Sequence, residues 1–380
     1  MQTIYLDNAA TTRLEPSVLE SMVDAYQKVF GNPSSNHQFG RKAKTILESS
    51  RKQIAKVLNC EAFEIYFTSG GTEAANLILH NAVQNLKVQR IVSSKIEHPA
   101  VLYTLPELQK QYGTEVQFVN LLPGGNIDTG HLESLLKEPT PTLVSLMMVN
   151  NEIGNILPME TVADLCKKYK AYFHSDCVQS VGHLPVDLKK IQVDFINASA
   201  HKFHGPKGIG FAYIKKGNPI GPMITGGEQE RGIRAGTENV VSILAMEKAL
   251  SIATANLETD RRHLQTLKDY FIDLLKKNWP EVTFNGNPSG ELSAPHLLNV
   301  RFPELIPMLL FKLDMKGIAA SAGSACQSGS EKGSHVLKEI LNESEQRNTS
   351  VRFSFSKYNT FQEIDLVMDS LNEILKKNGN

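Results

Sequence analysis

Between about residues 60 and 215, short runs rich in β-branched and aromatic residues alternate with stretches whose apolar positions recur at helical spacing. Residues 63–68 (FEIYFT) read as a strand and 72–83 as the helix that follows it. Further strands are expected at 90–94, 116–121, 143–149, 172–175, 195–198 and 209–214, with helical stretches such as 159–169 between several of them. This alternation predicts an α/β domain with a mainly parallel sheet flanked by helices. Ligands of such sheets lie at the carboxyl ends of the strands, so chemistry is to be sought there. Residues 238–277 form one long helical pattern nearly free of breakers, placed to connect this domain to a second unit. The rest runs strand (297–302), helix (305–315), a small-residue stretch, helix (334–341), strand (351–355) and a last helix (Phe361–Lys376), the pattern of a small α+β domain. Neither an internal repeat nor a low-complexity tract interrupts it.

Composition narrows the function classes. A chain of 380 residues fits two domains, and 41% hydrophobic with 21% charged residues is ordinary for a compact soluble protein. Forty basic side chains balance forty acidic ones, so no overall field draws in nucleic acid. The first residues lack the basic, apolar and small-residue order of a signal peptide, and the longest apolar stretch, near 143–149, is too short to span a bilayer. The four cysteines, Cys60, Cys166, Cys177 and Cys326, include no C-x-x-C pair, and no metal set is expected. A cytoplasmic protein with free thiols is the simplest expectation.

Candidate chemistry collects at the predicted strand ends. Ser69-Gly70-Gly71-Thr72-Glu73 follows a strand and opens a helix, where consecutive glycines, unpaired helix N–H groups and the Thr72 hydroxyl suit a phosphate. It is neither a dinucleotide fingerprint nor a Walker loop, and taken alone it is as well read as a capped tight turn. Lys202, in Ser199-Ala200-His201-Lys202, sits just past another strand, where burial lowers an amine's pKa and readies it for Schiff-base chemistry. A lone lysine at such a place is most often a solvated loop residue. The turn His204-Gly205-Pro206-Lys207-Gly208 immediately after it weakens that alternative. Asp176 follows strand 172–175, where a carboxylate either caps a helix or pairs with a pyridinium nitrogen; Gln179 lies three residues on. His98, after strand 90–94, offers a flat imidazole for stacking or proton transfer. Cys326 lies in SAGSACQSGS (321–330), a run of small polar residues that packs poorly and suits an exposed loop, whereas Cys166 sits in a helical pattern as a core residue.

These residues, with YLDNAATT (5–12), NPSS (32–35), Glu97-His98, VNNEIG (149–154), 199–210, QERGIRAGT (229–237) and GSAC (323–326), closely resemble the NifS/IscS cysteine desulfurases, in the class-V aminotransferase group of fold type I pyridoxal-phosphate (PLP) enzymes. The resemblance covers nearly the whole chain. It implies a large α/β PLP-binding domain over 15–250 and a small α+β domain made of 1–14 with 251–380, the latter carrying the active cysteine loop. It further implies that Lys202 holds the cofactor, Asp176 pairs with its ring nitrogen, Gln179 with its ring hydroxyl, and His98 stacks on it and assists proton transfer. Gly71, Thr72, Ser199 and His201 are implied to hold the phosphate, and Thr237 the phosphate of a neighbouring subunit's cofactor, hence a homodimer. Asn151 and Arg352 are implied to grip the carboxylate of L-cysteine. Cys326 is implied to take the sulfur as a persulfide, leaving alanine, for delivery to an acceptor protein of iron–sulfur cluster assembly or tRNA thiolation.

Two features depart from many relatives. Lys357 stands where a second arginine is common, and the chain ends soon after its last helix, where some relatives carry a tail that contacts a scaffold; the acceptor is therefore left open. Rival readings are a selenocysteine lyase, another class-V aminotransferase-type enzyme, which has no need of Cys326, and a binding scaffold with a vestigial site. The intact set Lys202, Asp176 and His98 argues against the last.

Overall fold

Seven strands form the central sheet of the computed structural model, which describes residues 3–323 and 333–376. Across the sheet the order is Ile65–Thr68, Gly210–Ile214, Phe195–Ser199, Tyr172–Asp176, Thr142–Ser145, Arg90–Ser93 and Glu115–Phe118. Only Gly210–Ile214 runs antiparallel to its neighbours, so the sheet is mainly parallel, as the alternating pattern predicts. Successive residues serve opposite faces: Val92, Val144 and Ile196 join one apolar core, while Ile91, Leu143 and Phe195 join the other. Burial on both faces is why these strands read as near-continuous apolar runs.

Most strands lie within a residue or two of their expected bounds, and the differences have local causes. The 143–149 run is assigned as strand only over Thr142–Ser145, yet Leu146 and Met148 still donate main-chain bonds to His174 and Asp176. The 116–121 run stops at Phe118, and Leu121–Leu122 turns away to pair with Asn126–Ile127. Asp176 and Ser199 are the last residues of their strands rather than the first beyond them. The helical pattern over 238–277 is two helices, Val240–Ala255 and Leu257–Asn278, bent by 70°. At the break the Asn256 side-chain amide donates to the carbonyl of Ile252 (3.0 Å), satisfying one end while Glu258 and Asp260 favour the start of the next helix. No single helix among the described residues is long and apolar enough to cross a membrane.

A second core is built on the sheet Thr283–Asn285, Leu297–Arg301 and Ser350–Ser354, with the helices Leu257–Asn278 and Phe361–Lys376. Ile4 and Leu6 belong to it, because Ile4–Tyr5 pairs in parallel with Ile318–Ala319. The chain then crosses to the central sheet, where Thr12 N donates to the carbonyl of His201 at 2.9 Å. That crossing carries Ala9, Ala10 and Thr11 past the carboxyl ends of the parallel strands.

Candidate active site

A cavity of about 440 Å³ opens at those carboxyl ends. Its wall contains Gly71, Thr72, His98, Asn151, Asp176, Gln179, Ser199, His201, Lys202 and Arg352, ten of the residues singled out in the sequence. Parallel strands explain the convergence: each delivers its following turn to the same edge, and the antiparallel Gly210–Ile214 contributes its preceding residues, Lys207 and Gly208. Arg352 comes from the second core.

The glycine turn meets the wall closely. A Cβ on Gly71 would lie 2.6 Å from Cγ2 of Val178, so only glycine fits as the helix Gly71–Gln84 begins. The free amides of that first turn favour an anion. Glu73 would oppose one, but its carboxylate is engaged by Arg234 (Nε to Oε1, 2.8 Å) and by the Ser69 amide (2.9 Å). His201 is pushed down to about 4 by burial and by the charges of Lys202 and Lys207, so at neutral pH it presents an uncharged ring, with Nδ1 3.2 Å from Thr11 Oγ1.

His98 caps the short helix Pro99–Leu102: its Nδ1 accepts from Ala100 N at 3.1 Å. The neutral ring therefore carries its proton on Nε2. Burial holds His98 below the usual imidazole range, with Lys202 and His335 adding to the effect and Asp176 opposing it. Beside it, burial pushes the Glu97 carboxyl up to about 8, so it is protonated at neutral pH; its Oε1 takes Ser94 Oγ and Met147 N. Asp176 is only 5% exposed, and its Oδ1 accepts from Val178 N at 2.9 Å. Gln179 Nε2 donates one of its two N–H groups to the carbonyl of Ala9 (2.8 Å). Lys202 sits in the turn Ala200–Lys202, with Nζ donating to the carbonyls of Ala9 and Ala10. Arg352 is buried, with Nη1 on the Asn151 carbonyl and Nη2 on Asp7, each at 2.8 Å, while Nε has no partner among the described residues.

A profile of the aminotransferase class-V family matches residues 4–367. The chain belongs to the class-V aminotransferase family. Within it, the chain is 41% identical over 377 residues to a cysteine desulfurase IscS of Dictyoglomus turgidum, covering 98% of this chain and 95% of that one. A solved NifS-like protein superposes with a TM-score of 0.91 at 37% identity, covering 99% of this chain and all of the other. A second, SspA in complex with cysteine, superposes at 0.81 with 29% identity, over 94% of this chain and all of that one. The cofactor of this class-V enzyme is pyridoxal phosphate, and the cavity suits it. An anion-favouring helix start, a buried carboxylate, a lysine and a buried arginine line one space, matching a phosphate, a basic ring nitrogen, an aldehyde and a substrate carboxylate.

Thr237 does not line this cavity; it is exposed on the loop after Gly226, where a role toward another subunit's cofactor would have to be met. That loop is tied down by Glu230, whose carboxylate takes both terminal nitrogens of Arg51 at 2.7 Å and the amide of Phe67 at 2.8 Å. Cys326 lies outside the described residues. Lys357, in the place of a frequent arginine, pairs with Glu15 at 2.6 Å and is not in the cavity wall. The sequence reading assigned no role to Asp7, Ala9, Ala10 or Lys207. The motif YLDNAATT was the available signal for the first three, but nothing local in it says which side chain or carbonyl turns toward the cavity.

Proposed function

We infer that this chain is a PLP-dependent cysteine desulfurase that converts L-cysteine to L-alanine. The observation that carries this reading is that Lys202, Asp176, His98 and Arg352, drawn from four separate segments, wall one cavity. When bound, PLP supplies an electron sink for the substrate's Cα.

The residue roles proposed here are those the resemblance implies, supported by the geometry of the chain's own groups. Lys202 holds the cofactor and, once its amine is released, moves the proton at the substrate Cα. Asp176 keeps the ring nitrogen protonated, and Gln179 pairs with the ring hydroxyl. His98, neutral with its proton on Nε2, stacks on the ring and serves as proton donor and acceptor. Gly71, Thr72, Ser199 and His201 hold the phosphate; Asn151 and Arg352 orient the substrate carboxylate. The thiolate of Cys326 attacks the substrate sulfur, so an S–S bond forms as the C–S bond breaks. The carbon keeps that electron pair and is protonated to the alanine methyl. One cysteine and one enzyme thiol thus give one alanine and one enzyme persulfide, with no outside oxidant. Support for Cys326 comes from the other cysteines: burial pushes Cys60 and Cys177 up to about 12 and raises Cys166 as well, leaving three poor nucleophiles.

The proposed assembly is a homodimer in which Thr237 completes the partner's phosphate site, with the chain divided into 15–250 and 1–14 plus 251–380; the separate apolar cores support that division. The persulfide is proposed to pass to an acceptor protein of iron–sulfur cluster assembly or tRNA thiolation. A cytoplasmic location is favoured by the unpaired thiols of Cys60, Cys166 and Cys177. The test is to mix the purified yellow protein with L-cysteine and quantify alanine with protein-bound persulfide. Equal appearance of both, with the persulfide mapped to Cys326, is expected; bound PLP without alanine would move the activity to another substrate.

A further inference from the structure

We propose that Asp7 is a positioning residue for the substrate carboxylate: it fixes the Arg352 guanidinium on the cavity wall so that its remaining N–H groups are offered to L-cysteine. The proposal rests on the reading of Arg352 given above.

An arginine side chain has many rotamers to lose on binding, so a site that recognises a carboxylate gains by holding the guanidinium in advance. Here two acceptors do so. The Asn151 carbonyl takes Nη1 and Asp7 Oδ1 takes Nη2, both at 2.8 Å. Those bonds use two of the five guanidinium N–H groups, and Nε is without a partner among the described residues, on a cavity-wall side chain only 1% exposed. A buried donor with no acceptor is costly unless a ligand supplies one.

Asp7 is itself held. Ser321 Oγ donates to the same Oδ1 at 2.8 Å, and the Asp7 carbonyl accepts from Ala10 N at 3.0 Å. On either side, Leu6 N bonds Ala319 O (2.9 Å) and Ser354 N bonds Leu6 O (2.8 Å), so Asp7 is set between the segments that carry Ser321 and Arg352. Its charge also compensates the desolvated guanidinium before any substrate arrives. The arrangement makes Asp7 decisive for ligands that carry a carboxylate and indifferent to those that do not.

The test uses the holoenzyme titrated with L-alanine and with ethylamine, which lacks the carboxylate, following the absorbance of bound cofactor. Asp7→Ala is expected to weaken L-alanine about tenfold or more, the worth of a hydrogen bond to a charged group, and to leave ethylamine unchanged. KM for L-cysteine rises in parallel while kcat stays within about threefold. Asp7→Asn, whose Oδ1 still accepts from Nη2, restores most of the preference. Asp7→Glu keeps the charge but moves the carboxylate by one methylene; it loses the preference even if the alanine variant folds poorly. A wild-type ratio of the two ligands in Asp7→Ala and Asp7→Glu, whatever their melting temperatures, overturns the proposal. Arg352→Ala separates the layers: if it too leaves the ratio unchanged, the reading of Arg352 itself has failed.

Discussion

Lys202 Nζ donates to the carbonyl of Ala9 at 2.6 Å and to that of Ala10 at 2.9 Å, residues that precede it by 193 and 192 positions. The same Ala9 carbonyl takes Gln179 Nε2, and Ala9 N donates to Ser354 Oγ at 2.8 Å. The N-terminal crossing thus links the lysine to the second core. Two main-chain oxygens give the amine a defined resting place on the cavity wall. Lys202→Ala is expected to abolish turnover, a loss of more than about a thousandfold, and to remove the yellow absorbance of covalently held cofactor. Lys202→Arg retains a donor to Ala9 and Ala10 and keeps the wild-type melting temperature, yet is equally inactive. Absorbance spectra, alanine assays and thermal melts check all three statements.

Cys326→Ser is expected to bind PLP and L-cysteine normally, as judged by absorbance titration, and to form no persulfide. Cys60, Cys166 and Cys177 do not substitute, because burial keeps each as a thiol at neutral pH. Persulfide mapped to any of them at the normal rate would remove Cys326 from the mechanism.

The rings of His183 and His296 stack with centroids 4.4 Å apart, and neither ring nitrogen of His296 has a partner among the described residues. Burial pushes His183 down to about 4, with the charges of His204 and Lys202 opposing protonation too; burial also holds His296 well below the usual imidazole range, with His183 and Lys268 adding to the effect. Well above about pH 6.5 both rings are neutral in the folded and unfolded chain, so they add no pH dependence. As pH falls from 6.5 towards 4, the unfolded chain takes up protons that the folded one refuses, and stability is lost. For His183 alone the loss is roughly 3 kcal/mol at most. Urea titrations of the apoprotein across this window check the slope, which flattens in His183→Gln.

Glu230 and Arg51 form a two-pronged buried ion pair, with side chains 2% and 3% exposed. Glu230→Ala strands the arginine beneath the loop that carries Thr237 and is expected to cost about 3–5 kcal/mol in urea unfolding. Replacing both, as Arg51→Met with Glu230→Leu, recovers much of that loss, because no unpaired charge remains. Recovery in the double variant distinguishes charge burial from loss of contact area.

Gly71→Ala places a methyl 2.6 Å from Val178 Cγ2. The overpacking is expected to cost about 1–3 kcal/mol and to weaken PLP binding, measured by equilibrium titration of the apoprotein. Val178→Ala added to it relieves the clash, with a coupling of about 0.5–3 kcal/mol between the two changes.

The sequence by itself determined the strands and the chemistry at their ends. Strands buried on both faces are mostly apolar, so runs such as 195–198 and 209–214 show in the pattern, and in a parallel sheet the residues after each run share one edge. That is why Gly71, His98, Asp176 and Lys202 are legible in the sequence, and why all four meet in one cavity. Tertiary structure alone decided the rest. The bend at Asn256 hides in a pattern that is helical on both sides, because a side-chain amide, not a proline or glycine, makes the break. Lys357 is turned to Glu15 and away from the cavity by a contact across hundreds of residues, as the 343-residue span of the neighbouring Tyr358–Glu15 bond indicates. Asp7 reaches Arg352 over 345 residues. Periodicity records which face of a segment is buried, but not which distant segment covers it; that choice is made only when the two cores pack around the crossing chain.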